Sequence, residues 1–201
     1  MKINKFLLFI LLFSNFYLLN LANAQIPKKL KRDLRWGRYN EDTSYVYELP
    51  FEKGKKVWII QGYYGWFSHK HEKALDFKLK RGENVCAARE GLVIDTENNS
   101  KATGFIHSNI NKGNYVIIKH SDGTCAAYWH LKHNSVTVQV GQQVTAGTII
   151  GKCGKSGYAI NPHLHFWVFR RGDFGIYEEV ATRFKTDNGI KYLRGGRWYG
   201  H

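Results

Sequence analysis

The chain has 201 residues, 43% hydrophobic and 15% aromatic, and its 30 basic against 16 acidic side chains give a net charge of +14. Such a chain is drawn to anionic surfaces. Its three cysteines, Cys86, Cys125 and Cys153, are an odd number with no Cys-x-x-Cys spacing, which excludes a zinc or redox centre of that type and leaves them as small structural residues or as one bridge plus a free thiol.

Residues 1–24 read as a secretory signal. Lys2 and Lys5 precede an apolar run from Phe6 to Leu21, and Ala22-Asn23-Ala24 supplies small residues at the cleavage positions. A retained membrane anchor is the alternative, but Ser14, Asn15 and Asn20 interrupt the run. Cleavage leaves 177 residues, enough for one domain, with 28 basic against 16 acidic groups and hence +12. An exported, periplasmic or extracellular monomer without a retained membrane span is expected, meeting the anionic envelope surface rather than nucleic acid.

Residues 25–50 carry the basic run Lys28-Lys29-Leu30-Lys31-Arg32 and the aromatics Trp36, Tyr39, Tyr45 and Tyr47 without a sustained period. We read this stretch as a loosely packed N-terminal arm or linker, with the basic run as a solvated face.

From residue 51 to 201 the pattern is short apolar runs broken by glycine, which predicts an all-β domain of antiparallel strands. Strands are expected at Val57–Gln61, Ala74–Leu79, Val85–Ala87, Leu92–Ile94, Asn114–His120, Thr124–Leu131, Val136–Val138 and Val144–Ile150. Ser121-Asp122-Gly123 is a hairpin signal between two of them. The polar stretch from Thr96 to Gly113 reads as a long surface loop of the kind that walls a binding site. Gly82-Glu83-Asn84-Val85-Cys86-Ala87 and Gly141-Gln142-Gln143-Val144-Thr145-Ala146 share a frame, the mark of a duplicated hairpin unit or of chance between glycine-led strands. Beyond Val168 the chain reads as turns and edge strands, including Arg170-Arg171-Gly172-Asp173-Phe174-Gly175.

The chemistry centres on Asn161-Pro162-His163-Leu164-His165-Phe166. Side chains in a strand alternate, so His163 and His165 share one face while Leu164 enters a core, and Pro162 suits the residue that opens the strand. Asp76 stands between Leu75 and Phe77, where an unpaired carboxylate is costly; a metal or an ion pair with Lys73, Lys78 or Lys80 would remove that cost. Ser68-His69-Lys70-His71 supplies further imidazoles close by. Tyr128 and His130 are expected on one strand face, where a metal nearby would make His130 a candidate to orient water. A catalytic zinc takes three protein donors from such residues and keeps a fourth position for water.

In order along the chain, Ser68-His69, Ala74-Leu75-Asp76-Phe77, Val85 to Gly91, His120 to Gly123, Tyr128-Trp129-His130-Leu131, Gly151 to Gly157 and Asn161 to Phe166 resemble the zinc metallopeptidases of the lysostaphin and LytM type. The resemblance implies a duplicated hybrid motif fold, an antiparallel sheet crossed by an open groove. It implies one Zn2+ ion held by His69, Asp76 and His165, with His130 and His163 beside the attacking water; Tyr128 is expected beside them as an auxiliary donor. It also implies hydrolysis of peptide bonds in bacterial peptidoglycan. Many members place the first histidine four residues before the aspartate; here His69 stands seven before and His71 five before, and His69 is preferred with His71 as the alternative. The run Tyr158-Ala159-Ile160 makes the groove wall near His163 bulkier than the usual small residues. Rival readings are a catalytically silent relative that binds peptidoglycan or activates another hydrolase, a biotinyl or lipoyl carrier built on the hairpin repeat, and a zinc peptidase acting on other peptides.

Overall fold

The computed structural model describes residues 26–39, 45–171 and 177–201. The expected signal at 1–24 and the turn residues Gly172 to Gly175 lie outside them. The architecture is mostly β: one short α-helix, α1 (Lys28–Arg35), one turn of 3-10 helix at His107–Asn109, and fourteen strands among the described residues. These are β1 (Val46–Tyr47), β2 (Lys56–Gln61), β3 (Ala74–Phe77), β4 (Asn84–Cys86), β5 (Gly91–Glu97), β6 (Asn114–Lys119), β7 (Cys125–Leu131), β8 (Gln143–Val144), β9 (Ile149–Lys152), β10 (Leu164–Arg171), β11 (Tyr177–Val180), β12 (Arg183–Thr186), β13 (Gly189–Lys191) and β14 (Arg197–Gly200).

The main sheet runs β14-β2-β3-β10-β7-β6-β5-β8, with β11 also on β10, and every pairing in it is antiparallel. Alternation fixes its two faces. In β10, Leu164, Phe166 and Val168 are buried while His165, Trp167 and Phe169 are partly open. The buried face packs Phe77 and Phe166 against Phe184 of β12, at ring separations of 6.2 and 5.7 Å, and Phe166 against Tyr128 at 5.2 Å. Burying each such ring contributes on the order of 1.5–3 kcal/mol. That burial also sets register, because a slip of one residue in β3 would drive Asp76 into the core.

The glycine-led repeat is visible in the pairing. Strand β4 of the first unit pairs with β9, which follows the second, and β5, which follows the first, pairs with β8 of the second. Gly82 and Gly141 open the two units with nearly equal φ of +91° and +90°. The hairpin at Ser121-Asp122-Gly123 joins β6 to β7 as expected, with Thr124 O accepting from His120 N–H at 2.8 Å. Val136–Val138 forms no strand; Thr137 N–H reaches Ile150 O at 3.2 Å instead.

The stretch read as a loosely packed arm is tied into the core. Leu34 of α1, Tyr47 and Leu49 are each at most 2% exposed, and β1 pairs in parallel with β12. The sequence hid this because only isolated positions face inward: α1 buries one leucine, Lys29 pairs with Asp33 at 2.7 Å on the outer side, and Arg35 Nε donates to Tyr64 O at 2.6 Å. No helix among the described residues is long and apolar enough to cross a membrane. All three cysteines are buried and unbridged.

Candidate metal centre

Three adjacent strands put the polar groups in one row. Gln61 of β2 stands opposite Asp76 of β3, and Asp76 stands opposite His165 of β10. The Oδ1 atom of Asp76 is 2.8 Å from His165 Nδ1, 3.3 Å from His69 Nε2 and 3.7 Å from His163 Nε2. The outer oxygen, Oδ2, accepts a 2.8 Å hydrogen bond from Gln61 Nε2. The same Nε2 donates to Ser68 Oγ at 2.7 Å, and Gln61 Oε1 accepts from Ser68 N–H at 3.0 Å. Gln61 therefore ties the turn carrying His69 to the carboxylate that His69 faces.

Backbone carbonyls orient three of the four imidazoles. Nδ1 of His69 lies 3.1 Å from Ala74 O, Nδ1 of His163 2.8 Å from Asn161 O, and Nδ1 of His130 2.7 Å from Ser156 O. With Nδ1–H donating in each, Nε2 is the ring nitrogen left to face the site. His163 and His130 lie side by side, ring centres 4.7 Å apart, and His130 is 5.8 Å from His165. His163 and His165 thus share a face, as the His-x-His spacing predicts.

His130 reaches that face by a departure from alternation. Trp129 pairs with Tyr115 and Leu131 with Asn114, so His130 is an extra residue in β7 with φ of +65°, left-handed backbone that is costly for a side chain of this size. Ser156 holds the bulge: its Oγ donates to Leu131 O at 2.7 Å and accepts from Asn114 N–H at 2.8 Å. The glycine loop can approach this closely because Gly154 and Gly157 have no side chains. A Cβ on Gly154 would sit 2.5 Å from Lys132 N, and Gly157 has φ of +74° with Gly113 N in the way at 2.8 Å.

The bulge corrects one expectation. Tyr128 does not share a face with His130; it is fully buried against Phe166, and its hydroxyl accepts from Ala88 N–H at 2.8 Å. It belongs to the core and is not an auxiliary donor. The residue that pairs with His165 on the open face is Trp129, which lies near Trp167 and stacks on Tyr115 at 4.6 Å.

Electrostatics follow from the crowding. Burial works to raise the Asp76 carboxyl, but His69 and His165 outweigh it and hold it well below the usual carboxylate range. Burial lowers His165 despite Asp76. It also pushes His130 down to about 3, with His163 and His165 adding to the effect, so His130 is neutral at working pH. His69 moves the other way, because Asp76 and Glu72 outweigh its burial.

Two imidazole nitrogens and one carboxylate oxygen suit Zn2+, and the 3.3 Å from His69 Nε2 to Asp76 Oδ1 matches the ligand–ligand edge of about 3.3 Å that zinc bonds near 2.0–2.1 Å give. A cation would replace the proton that now joins His165 to Asp76. His71 is exposed, and the donor cluster takes His69. Two residues at the site were given no role from the sequence: Gln61, which the resemblance includes only through Gln61-Gly62-Tyr63, and Glu72, three residues after His69.

Aromatic side chains cluster on the loops that carry His69 and the glycine run. Thr103 bridges to Ser156 and Gly157, joining the 98–113 loop to the glycine loop. Phe105 of that loop stacks on Tyr158 at 4.1 Å and on Phe67, two residues before His69, at 6.2 Å. Trp66, Phe67, Phe105, Ile106 and Ile160 are all exposed.

Over 97 residues the chain is 34% identical to the peptidoglycan DD-endopeptidase ShyA of Vibrio cholerae, covering 48% of this chain and 20% of that protein. Over 92 residues it is 34% identical to lysostaphin of Staphylococcus simulans, covering 46% of this chain and 17% of that protein. The chain therefore aligns with only about a fifth of the length of these relatives. Among solved structures, the M23 metalloprotease pseudoalterin shares the fold, with a TM-score of 0.50 at 18% identity over 78% of this chain and 95% of that one. The profile described as "Peptidase family M23" matches residues 70–174, just over half of the sequence and spanning Asp76, His130, His163 and His165, so the chain belongs to that family.

Proposed function

We propose that this chain is a zinc-dependent endopeptidase that hydrolyses peptide cross-links or stem peptides of bacterial peptidoglycan. The observation that carries the reading is the convergence of His69 Nε2 and His165 Nδ1 on Asp76 Oδ1, with the imidazoles of His130 and His163 beside them. His69, Asp76 and His165 would hold one Zn2+ ion. When bound, zinc lowers the pKa of water to about 7 and polarises a carbonyl oxygen.

The chain's own residues supply the rest. His130, neutral and fixed with Nδ1–H on Ser156 O, presents Nε2 as an acceptor that orients the attacking water and takes up its proton. His163, fixed on Asn161 O with its ring centre 4.7 Å from that of His130, is placed to take that proton on from His130 and hand it to the leaving amine. Trp129, Trp167 and the Phe67–Phe105–Tyr158 stack offer apolar walls that shield the polar groups from bulk water. Export by the 1–24 segment and a charge of +12 on the remainder suit an anionic envelope polymer as substrate.

The test is digestion of purified peptidoglycan by the zinc-loaded chain, with products identified by mass and a parallel reaction containing a zinc chelator. New peptide-bond cleavage that the chelator suppresses is expected. A folded, zinc-loaded chain that leaves peptidoglycan intact but cuts other peptides would reassign the substrate. A chain that binds no zinc and cuts nothing would overturn the reading in favour of a silent binding module.

A further inference from the structure

The seven-residue spacing between His69 and Asp76 leaves room for a tight turn, and the turn carries a carboxylate. Glu72 N–H donates to His69 O at 3.1 Å, and Glu72 O accepts from Tyr64 N–H at 2.9 Å, which fixes the Glu72 backbone over His69. Its Oε2 then lies 4.0 Å from His69 Nε2, with 39% of the side chain open to solvent. Donor atoms of His69, Glu72 and His165 all fall within 4.8 Å of one another. No lysine or arginine forms an ion pair with Glu72 among the described residues.

We propose that Glu72 is a fourth protein donor to the divalent cation held by His69, Asp76 and His165. This rests on the zinc reading above and extends the donor set it uses. The gap to be closed is small. A tetrahedral site with bonds near 2.0–2.1 Å has ligand–ligand edges of about 3.3 Å, so Glu72 must approach His69 by less than ~1 Å and His165 by no more than ~1.5 Å, within reach of a side-chain rotation at a partly exposed glutamate. Charge favours the move. Two neutral imidazoles and one carboxylate leave a divalent cation with a residual positive charge, and a second carboxylate cancels it. The same exposure makes the donor displaceable: Glu72 closes the site at rest, and a substrate carbonyl or water takes its place when the groove is filled.

The experiment uses the metal-free full chain titrated with Zn2+ against a chromophoric chelator and with Co2+ followed by visible absorption, for the wild type, Glu72→Gln and Glu72→Asp, with circular dichroism to verify the fold. Loss of about tenfold or more in Zn2+ affinity for Glu72→Gln is expected, together with a changed Co2+ spectrum. Glu72→Asp, one methylene shorter, should fall between, and it decides the matter if Glu72→Gln fails to fold. Equal affinities and identical Co2+ spectra for all three chains would overturn the inference while leaving the zinc site intact. Failure of the wild type to bind either metal would overturn both.

Discussion

Replacing Gln61 by methionine keeps the length of the side chain and removes three hydrogen bonds at once. One is charge-assisted, from Nε2 to Asp76 Oδ2 at 2.8 Å; the other two, at 2.7 and 3.0 Å, hold Ser68. A bond to a charged group contributes about 1.5–3 kcal/mol and an ordinary one about 0.5–1.5 kcal/mol. Gln61 is partly exposed, so the lower ends apply, and the metal-free chain should lose roughly 2.5 kcal/mol of stability. The larger effect is on the metal. Asp76 Oδ1 would no longer be aimed by its partner oxygen, and loss of such an outer support typically costs 10–100-fold in metal affinity. Competition with a chromophoric zinc chelator measures this directly, and urea unfolding of the metal-free chain measures the stability loss. Wild-type zinc affinity in a folded Gln61→Met chain would refute the argument that β2 positions the carboxylate.

The neutral state of buried His130 predicts a pH dependence. Its folded pKa of about 3 lies below the ordinary value near 6.5, so the unfolded chain binds a proton across that interval that the folded chain does not. The contribution is present above pH 6.5 and is lost as pH falls toward 3, at no more than about 1.4 kcal/mol per pH unit, and a metal-free His130→Gln chain should show a shallower decline in thermal midpoint below pH 6.5. Phe105→Ala removes both stacks of a side chain that is 45% exposed, at about 0.5 kcal/mol each, and should speed amide exchange at residues 98–113 while leaving the β7 and β10 amides protected. Unchanged exchange in that loop would show that the stack does not hold it. Sacculus binding by a chain of this charge should weaken as salt is raised from 50 to 500 mM, and salt-insensitive binding would count against capture by the basic surface.

The strands were legible wherever alternation was regular. His163 and His165 share a face because β10 keeps a period of two, and Asp76 faces them because Leu75 and Phe77 are drawn to the core. The same rule failed at β7, where the extra residue His130 turns back toward the open face and leaves Tyr128 in the core. No local pattern in Ala127-Tyr128-Trp129-His130-Leu131 announces a bulge, because its cause lies in Ser156 and the glycine loop more than twenty residues on. Gln61 and Glu72 escaped for a related reason: their roles depend on pairing with β3 and on a turn, neither of which has a sequence period. The burial of Leu34 was hidden by the charge around it, and that of Tyr47 and Leu49 by the shortness of β1.

The measurement that bears most directly on the proposed centre is zinc content and peptidoglycan cleavage determined side by side for the wild type, His165→Ala and His163→Ala. The wild type should hold one zinc per chain and cleave. His165→Ala should hold none and be inactive, whereas His163→Ala should keep its zinc and lose the rate. Zinc retained by His165→Ala, or full activity in His163→Ala, would contradict the division of the histidines into donors and proton carriers.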